Sequence, residues 1–262
     1  ESQLRHADVA GRVGTAGAAF DTADTKLRLA NWTMARTEND RYQFNIPADT
    51  FTIRLEAIPS QTPTLRGNQG FSAKGPSPEL ASYYYSRPQL NVTAQIEIKD
   101  KSSKGKQGSL LKRSGIGWFD HEWSSSLLMP GAVGWDWIGI NLLDGGSVMA
   151  FRIRDQAGKA LFSEWDRRDQ TGRILERHSN AVWESVGQWS SARSLANYPS
   201  GFFIRIGNQE FQLKTLMQDQ EVDARASTGG FYYEGAVEMS QNQVVIGRGY
   251  LELTGYSQAV KL

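Results

Sequence analysis

The chain of 262 residues contains no cysteine, which excludes a disulfide framework, thiol catalysis and any cysteine-ligated metal centre. Histidine is scarce as well: the three copies are dispersed along the chain, so neither a metal site nor any other cofactor is expected. No sign of charge is in excess, with 29 Lys plus Arg against 28 Asp plus Glu. Nucleic-acid binding needs a basic footprint and is not expected here. No run approaches the roughly 18 apolar residues of a membrane-spanning helix, so no transmembrane segment is expected. The one local basic excess, Lys99 to Arg113, reads as a solvated loop, with peripheral contact to a membrane surface as its alternative. Absence of cysteine suits an oxidising compartment, where stray thiols are a hazard.

Large rings are abundant by contrast, with eight Trp, nine Tyr and eleven Phe. The dominant local pattern is alternation with period two, the mark of half-buried strands. It runs through Val92–Ile98, Gly201–Ile206 and Glu210–Lys214. The last two flank Gly207-Asn208-Gln209, a loop with residues suited to positive φ. Trp135–Leu143 and Ser147–Arg154 flank Asp144-Gly145-Gly146 in the same way. One helix is a candidate, over Arg173–Trp189, where Leu175, Val182, Val186 and Trp189 form a stripe interrupted by Ser179 and weakened by Gly187. The fold class expected is all-β and antiparallel.

An internal repeat organises these strands. Trp32-Thr33-Met34-Ala35-Arg36 recurs as Trp189-Ser190-Ser191-Ala192-Arg193. Phe51-Thr52-Ile53-Arg54-Leu55 recurs as Phe211-Gln212-Leu213-Lys214-Thr215, Ser82-Tyr83-Tyr84-Tyr85 as Gly230-Phe231-Tyr232-Tyr233, and Gly117-Trp118-Phe119-Asp120 as Gly249-Tyr250-Leu251-Glu252. Partner blocks draw closer along the chain because the first half carries the longer loop, Asp100 to Ser114, and loops absorb insertions cheaply. Two domains are therefore expected, over residues 1–128 and 129–262. Ahead of Trp32 the first half has only a loop-like segment with Gly11, Gly14, Ala16, Gly17 and Ala18, whereas a strong hairpin precedes Trp189. The first barrel is accordingly expected to lack its N-terminal strands.

Three blocks carry a resemblance. They are Gln69–Pro76 followed by Ser82–Pro88, Gly117–Ser125 containing Asp120-His121-Glu122-Trp123, and Val133–Ile140 containing Gly134-Trp135-Asp136-Trp137. Together they resemble the AttH-like family of tandem lipocalin-like proteins, which also contains carotenoid 1,2-hydratase (hydroxyneurosporene synthase). The resemblance implies two calycin-type antiparallel barrels, frequent export through a signal peptide, and hydratases or related enzymes acting on polyene or isoprenoid substrates. His121 and Trp123 match the His-x-aromatic pair of the hydratases; their further acidic residue has no counterpart around Ala150-Phe151-Arg152.

The residues of these blocks suit such chemistry. Hydrating an isolated alkene takes a proton donor, aromatic faces that stabilise a cation, and a positioned water. On a strand, Asp120 and Glu122 share one face with Trp118, while His121 and Trp123 share the other with Phe119. His121 and Asp120 are thus candidate proton donors, the alternative being a structural seam with His121 satisfied in the core. Asp136 lies in register with Ile138, Ile140 and Leu142, where a lone carboxylate is costly. It is either a third proton donor or one half of a buried pair with Arg152 or Arg154. Trp118, Trp123, Trp135, Trp137, Tyr84 and Tyr233 are the candidate ligand-binding rings, lining a cavity or filling a core. The expected function is binding of an apolar ligand (isoprenoid, polyene or lipid-like) by a periplasmic or secreted bacterial protein. The alternative is a hydro-lyase of the carotenoid-hydratase type without metal or nucleotide cofactor.

Overall fold

Alternating residues resolve into antiparallel strands in the computed structural model, which describes residues 5–7, 9, 17–99, 109–125 and 128–260. The first nine strands are β1 (Ala19–Phe20), β2 (Lys26–Leu29), β3 (Trp32–Arg36), β4 (Tyr42–Pro47), β5 (Phe51–Pro59), β6 (Thr64–Leu65), β7 (Phe71–Ala73), β8 (Ala81–Ile98) and β9 (Ser109–Trp123). Next come β10 (Gly134–Leu142), β11 (Ser147–Arg154), β12 (Ala160–Arg168), β13 (Ile174–His178), β14 (Val182–Ser185) and β15 (Trp189–Ser190). The last are β16 (Asn197–Tyr198), β17 (Gly201–Ile206), β18 (Gln209–Thr215), β19 (Glu221–Ala224), β20 (Gly230–Gln241) and β21 (Val244–Leu253). Among the described residues there is no helix.

The chain forms two compact units, one of Glu1–Ser60, Leu90–Gly117 and Ala224–Gly229, the other of Gln61–Gln89, Trp118–Asp223 and Gly230–Leu262. The second thus draws on segments from both sides of residue 128. In the first unit β2, β3, β4, β5 and the C-terminal half of β8 pair in sequence order. Tyr42 and Ala57 face each other across β4 and β5 and are buried with Phe51 and Leu90.

In the second unit the strands run β13-β12-β11-β10-β21-β20-β18-β17-β14. Its two outer strands, β13 and β14, are consecutive in sequence, joined only by Ser179, Asn180 and Ala181. Three extended residues bring their ends within about 14 Å, so the sheet must roll up on itself. The interior carries a cluster of buried apolar side chains. Ile138, Ile140, Val148, Trp165, Phe202, Ile204, Phe211, Val237 and Leu251 are all buried there. A second cluster covers the outer face of β10, β11 and β12, where Met149, Phe151 and Ile153 meet Tyr84, Trp118, Trp135 and Trp137. Strand β11 is consequently buried on both faces.

The later blocks of the repeat pair alike, β5 with β8 and β8 with β9 as β18 with β20 and β20 with β21, whereas β3 lies between β2 and β4 and its counterpart β15 pairs β16 in a separate two-stranded sheet. The shared arginines play the same part, Arg36 binding Asp40 and Asp24, and Arg193 binding Asp219 and Glu221.

Three local expectations are corrected. Arg173–Trp189 is not a helix but β13, β14 and the start of β15. Gly172 and Gly187, both at positive φ, make turns there, and β13 hydrogen-bonds to β12 instead of to itself. Ser109–Ser114 extends β9 rather than belonging to the loop, whose residues 100–108 lie outside the described ones. The segment ahead of Trp32 carries β1 and β2, because Lys26–Leu29 finds a partner in β3.

Candidate functional site

Strand alternation splits β8 and β9 into two chemically opposite faces. Ser82, Tyr84 and Ser86 with Trp118, Asp120 and Glu122 make a polar network within the second unit, beside Trp137 of β10. Tyr83 and Tyr85 with Phe119, His121 and Trp123 make an aromatic face open to solvent.

On the inner face Asp120 is the hub. Tyr84 Oη donates to its Oδ2 at 2.8 Å and Trp118 Nε1 to its Oδ1 at 2.8 Å. Trp137 Nε1 in turn donates to Tyr84 Oη at 3.1 Å. Burial pushes the Asp120 carboxyl above its ordinary range, and the Arg66 guanidinium and these donors only partly offset it. Tyr84 is raised well above its usual value by burial and by the Asp120 charge. Two cations brace the network. Arg66, fully buried, grips Asp166 with one nitrogen at 2.7 and 2.9 Å and donates from Nε to Ser86 Oγ at 2.9 Å. Burial pushes Asp166 up, but Arg66 and Arg168 outweigh it and hold the carboxyl below its ordinary range. Lys74 Nζ pairs with Glu122 Oε1 at 2.8 Å while lying 4.8 Å from the Tyr84 ring centre and 4.2 Å from that of Phe151. Gly139 makes the packing possible, since a Cβ there would fall 2.4 Å from the Trp137 ring and 2.9 Å from that of Trp118.

The outer face is a ladder of rings. Phe71 meets Tyr83 edge-on at 6.1 Å, Tyr83 stacks on Trp123 at 5.5 Å, Trp123 lies 4.9 Å from His121, and His121 lies 5.3 Å from Tyr85. Phe119 closes the series 6.2 Å from Tyr85. His121 Nδ1 sits 3.2 Å from Tyr85 Oη, leaving the other ring nitrogen available outward. Tyr83 is 55% exposed, Trp123 50% and Phe71 43%, a contiguous apolar surface that soluble folds ordinarily bury.

The remaining predicted residues lie elsewhere. Asp136 is fully buried between Arg152 Nε at 2.7 Å and Arg154 Nε at 3.1 Å, and accepts from Tyr256 Oη at 3.1 Å. Arg152 packs over the Trp183 and Phe202 rings, placing the pair at one end of the barrel core. Tyr233 is buried in that core and donates to the Met217 carbonyl. Tyr84, Trp118 and Trp137 serve the inner network, Trp135 packs in the outer cluster, and Trp123 alone of the predicted rings joins His121 on the open ladder.

Sequence reasoning passed over Glu252 and Glu234. They stand directly opposite each other on β21 and β20. Burial and the Glu234 charge push Glu252 up to about 8, and burial raises Glu234 as well. The repeat held the signal, because it aligns Glu252 with Asp120 and Tyr250 with Trp118. Arg66 and Lys74 carried no such signal beyond Lys74's place in the Gln69–Pro76 block.

The chain matches the AttH-like family over residues 1–256. A crystal structure of a protein assigned as AttH, from Nitrosomonas europaea, superposes with a TM-score of 0.81 at 40% identity, covering 88% of this chain and 69% of that one. Kievitone hydratase from Nectria haematococca superposes at 0.66 with 15% identity, covering 90% and 71% of the two chains. CghA bound to Sch210972 superposes at 0.52 with 11% identity, covering 94% and 74%. These two identities establish likeness of fold alone. No curated protein sequence matches the chain. On the family match and the AttH structure, the chain belongs to the AttH-like family.

Proposed function

We propose that the protein binds an apolar, unsaturated small molecule of isoprenoid, polyene or lipid-like character on the ring ladder of β8 and β9. The observation that carries this reading is the run Phe71–Tyr83–Trp123–His121–Tyr85, five neighbouring rings with three of them half-exposed. Flat apolar ligands gain from stacking on such rings beyond the area they bury. We propose a site of action outside the cytoplasm, a compartment that the cysteine-free composition suits; fractionation of the native host checks it.

A second reading, acid-catalysed addition of water to an alkene, is favoured by the histidine within the ladder. An imidazole held by Tyr85 on one nitrogen can present the other to a stacked substrate, and the neighbouring rings would stabilise a developing cation. Kievitone hydratase, of like fold, bears a hydratase name. Asp120 and Asp136 stay out of this step, as both are turned to internal partners.

Titration with a polyene such as farnesol or retinol, followed by tryptophan fluorescence, separates the readings. Binding should weaken about tenfold in Trp123→Ala, the loss of one stacked aromatic anchor. In His121→Phe, which keeps a ring on the ladder, both a carrier and a hydratase keep affinity, and a hydratase loses hydrated product. Unchanged affinity in Trp123→Ala sinks both.

A further inference from the structure

The first unit carries a groove of about 700 Å³ that the ring ladder does not use. Its lining is set by strand register. Thr33, Asn45, Arg54 and Gln95 stand directly opposite one another across β3, β4, β5 and β8. Two residues along, Ala35, Gln43, Glu56 and Thr93 form the adjoining row on the same face. All eight line the groove, together with Lys112, Arg113 and Ser114 of β9. The two rows present amides, hydroxyls, one cation and one carboxylate with Ala35 as their apolar member, while Phe44, Leu55 and Ala94 between them add apolar lining.

The charges on it are unbalanced. Glu56 is engaged by Arg41 at 2.9 Å. Among the described residues Arg54 and Lys112 have no side-chain partner, and Arg113 donates only to the Lys112 carbonyl. Arg54, exposed, sits between Asn45 and Gln95, neutral neighbours that leave its fork of donors open to an anion from solvent. Arg54, Lys112 and Arg113 outnumber the groove's one carboxylate, Glu56, which Arg41 already engages, and so raise the local concentration of anions. Amides and hydroxyls beside them match ligand hydroxyls.

We infer that this groove is a binding site for a hydroxyl-rich organic anion, a sugar-like polyol bearing a carboxylate or a phosphate, with Arg54 as the principal anion contact. Its size lies within the 300–1,000 Å³ usual for small-ligand sites and suits one or two sugar-sized rings. The inference is independent of the apolar site on the other unit.

Isothermal titration with digalacturonate and with glucose 6-phosphate tests it, and the two arms tell a carboxylate from a phosphate. At least one should bind, tenfold or more tighter than neutral cellobiose and tighter than dodecanoate, and should weaken as salt is raised from 50 to 500 mM. Arg54→Gln should lower that affinity at least fivefold, and Lys112→Gln with Arg113→Gln should lower it as well. Lys214→Gln, which removes the same charge outside the groove, should leave it unchanged. The inference is overturned if neither anion binds, if cellobiose or dodecanoate binds as tightly, or if Arg54→Gln leaves affinity intact.

Discussion

The Tyr84 hydroxyl is donor and acceptor at once: it gives its proton to Asp120 Oδ2 at 2.8 Å and receives that of Trp137 Nε1 at 3.1 Å. One oxygen thereby joins β8, β9 and β10 through three side chains. Tyr84→Phe keeps the ring and its packing on Met149 and Phe151 but leaves the indole donor without an acceptor and strips the carboxylate of one bond. A buried polar group left unsatisfied costs about 1–3 kcal/mol. Urea denaturation of Tyr84→Phe should show a loss in that range with an unchanged m-value. A variant as stable as the parent would mean that this bond contributes nothing net.

Asp136 is the sole carboxylate between Arg152 and Arg154, and its own exposure is nil. Asp136→Asn leaves two desolvated guanidiniums facing a neutral amide, so a loss of roughly 3–5 kcal/mol is expected. Denaturation midpoints measure it. The same variant, where folded, should bind the polyene with parental affinity, because the pair lies in the barrel core and the ladder on β8 and β9. A stable Asp136→Asn that loses binding or turnover would return Asp136 to the chemistry.

How much of this was legible in the sequence follows from the range of each interaction. Alternation places Asp120 and His121 on opposite faces of one strand, and the structure keeps them there. A carboxylate in register with Ile138 and Ile140 has to find a cation, and Arg152, directly across the hairpin from Asp136, supplies it. The Arg66–Asp166 grip joins residues 100 positions apart, and no periodicity connects them. The spurious helix at Arg173–Trp189 has a similar origin. Its apolar residues fall at helix-like intervals only because strands and turns happen to alternate there, while the hydrogen bonds that decide the matter come from β12. Nor does the sequence reveal the partners of the Tyr84 and Tyr233 hydroxyls, which donate to Asp120 and to the Met217 carbonyl.

Glu252 should set a pH dependence of stability. Burial and Glu234 push its carboxyl up to about 8, whereas in the unfolded chain it titrates near the ordinary value of about 4.3. Between those values the folded chain holds the proton and the unfolded chain has lost it. The stabilising contribution is therefore whole below the ordinary carboxyl range, declines as pH rises, and is gone above about 8. Its slope is at most about 1.4 kcal/mol per pH unit. Glu252→Gln, always neutral, removes the slope, so parent-minus-variant stability should fall steadily from pH 5, to the parent's disadvantage, and level off above about 8. Glu234→Gln removes the charge opposite Glu252 on β20, which lowers the folded pKa of Glu252, so in that variant the decline should end at a lower pH with a smaller total loss. Chemical denaturation in a series of buffers reads both. A parent-minus-variant difference that stays flat over the window would show that Glu252 is ionised in the fold like any surface glutamate.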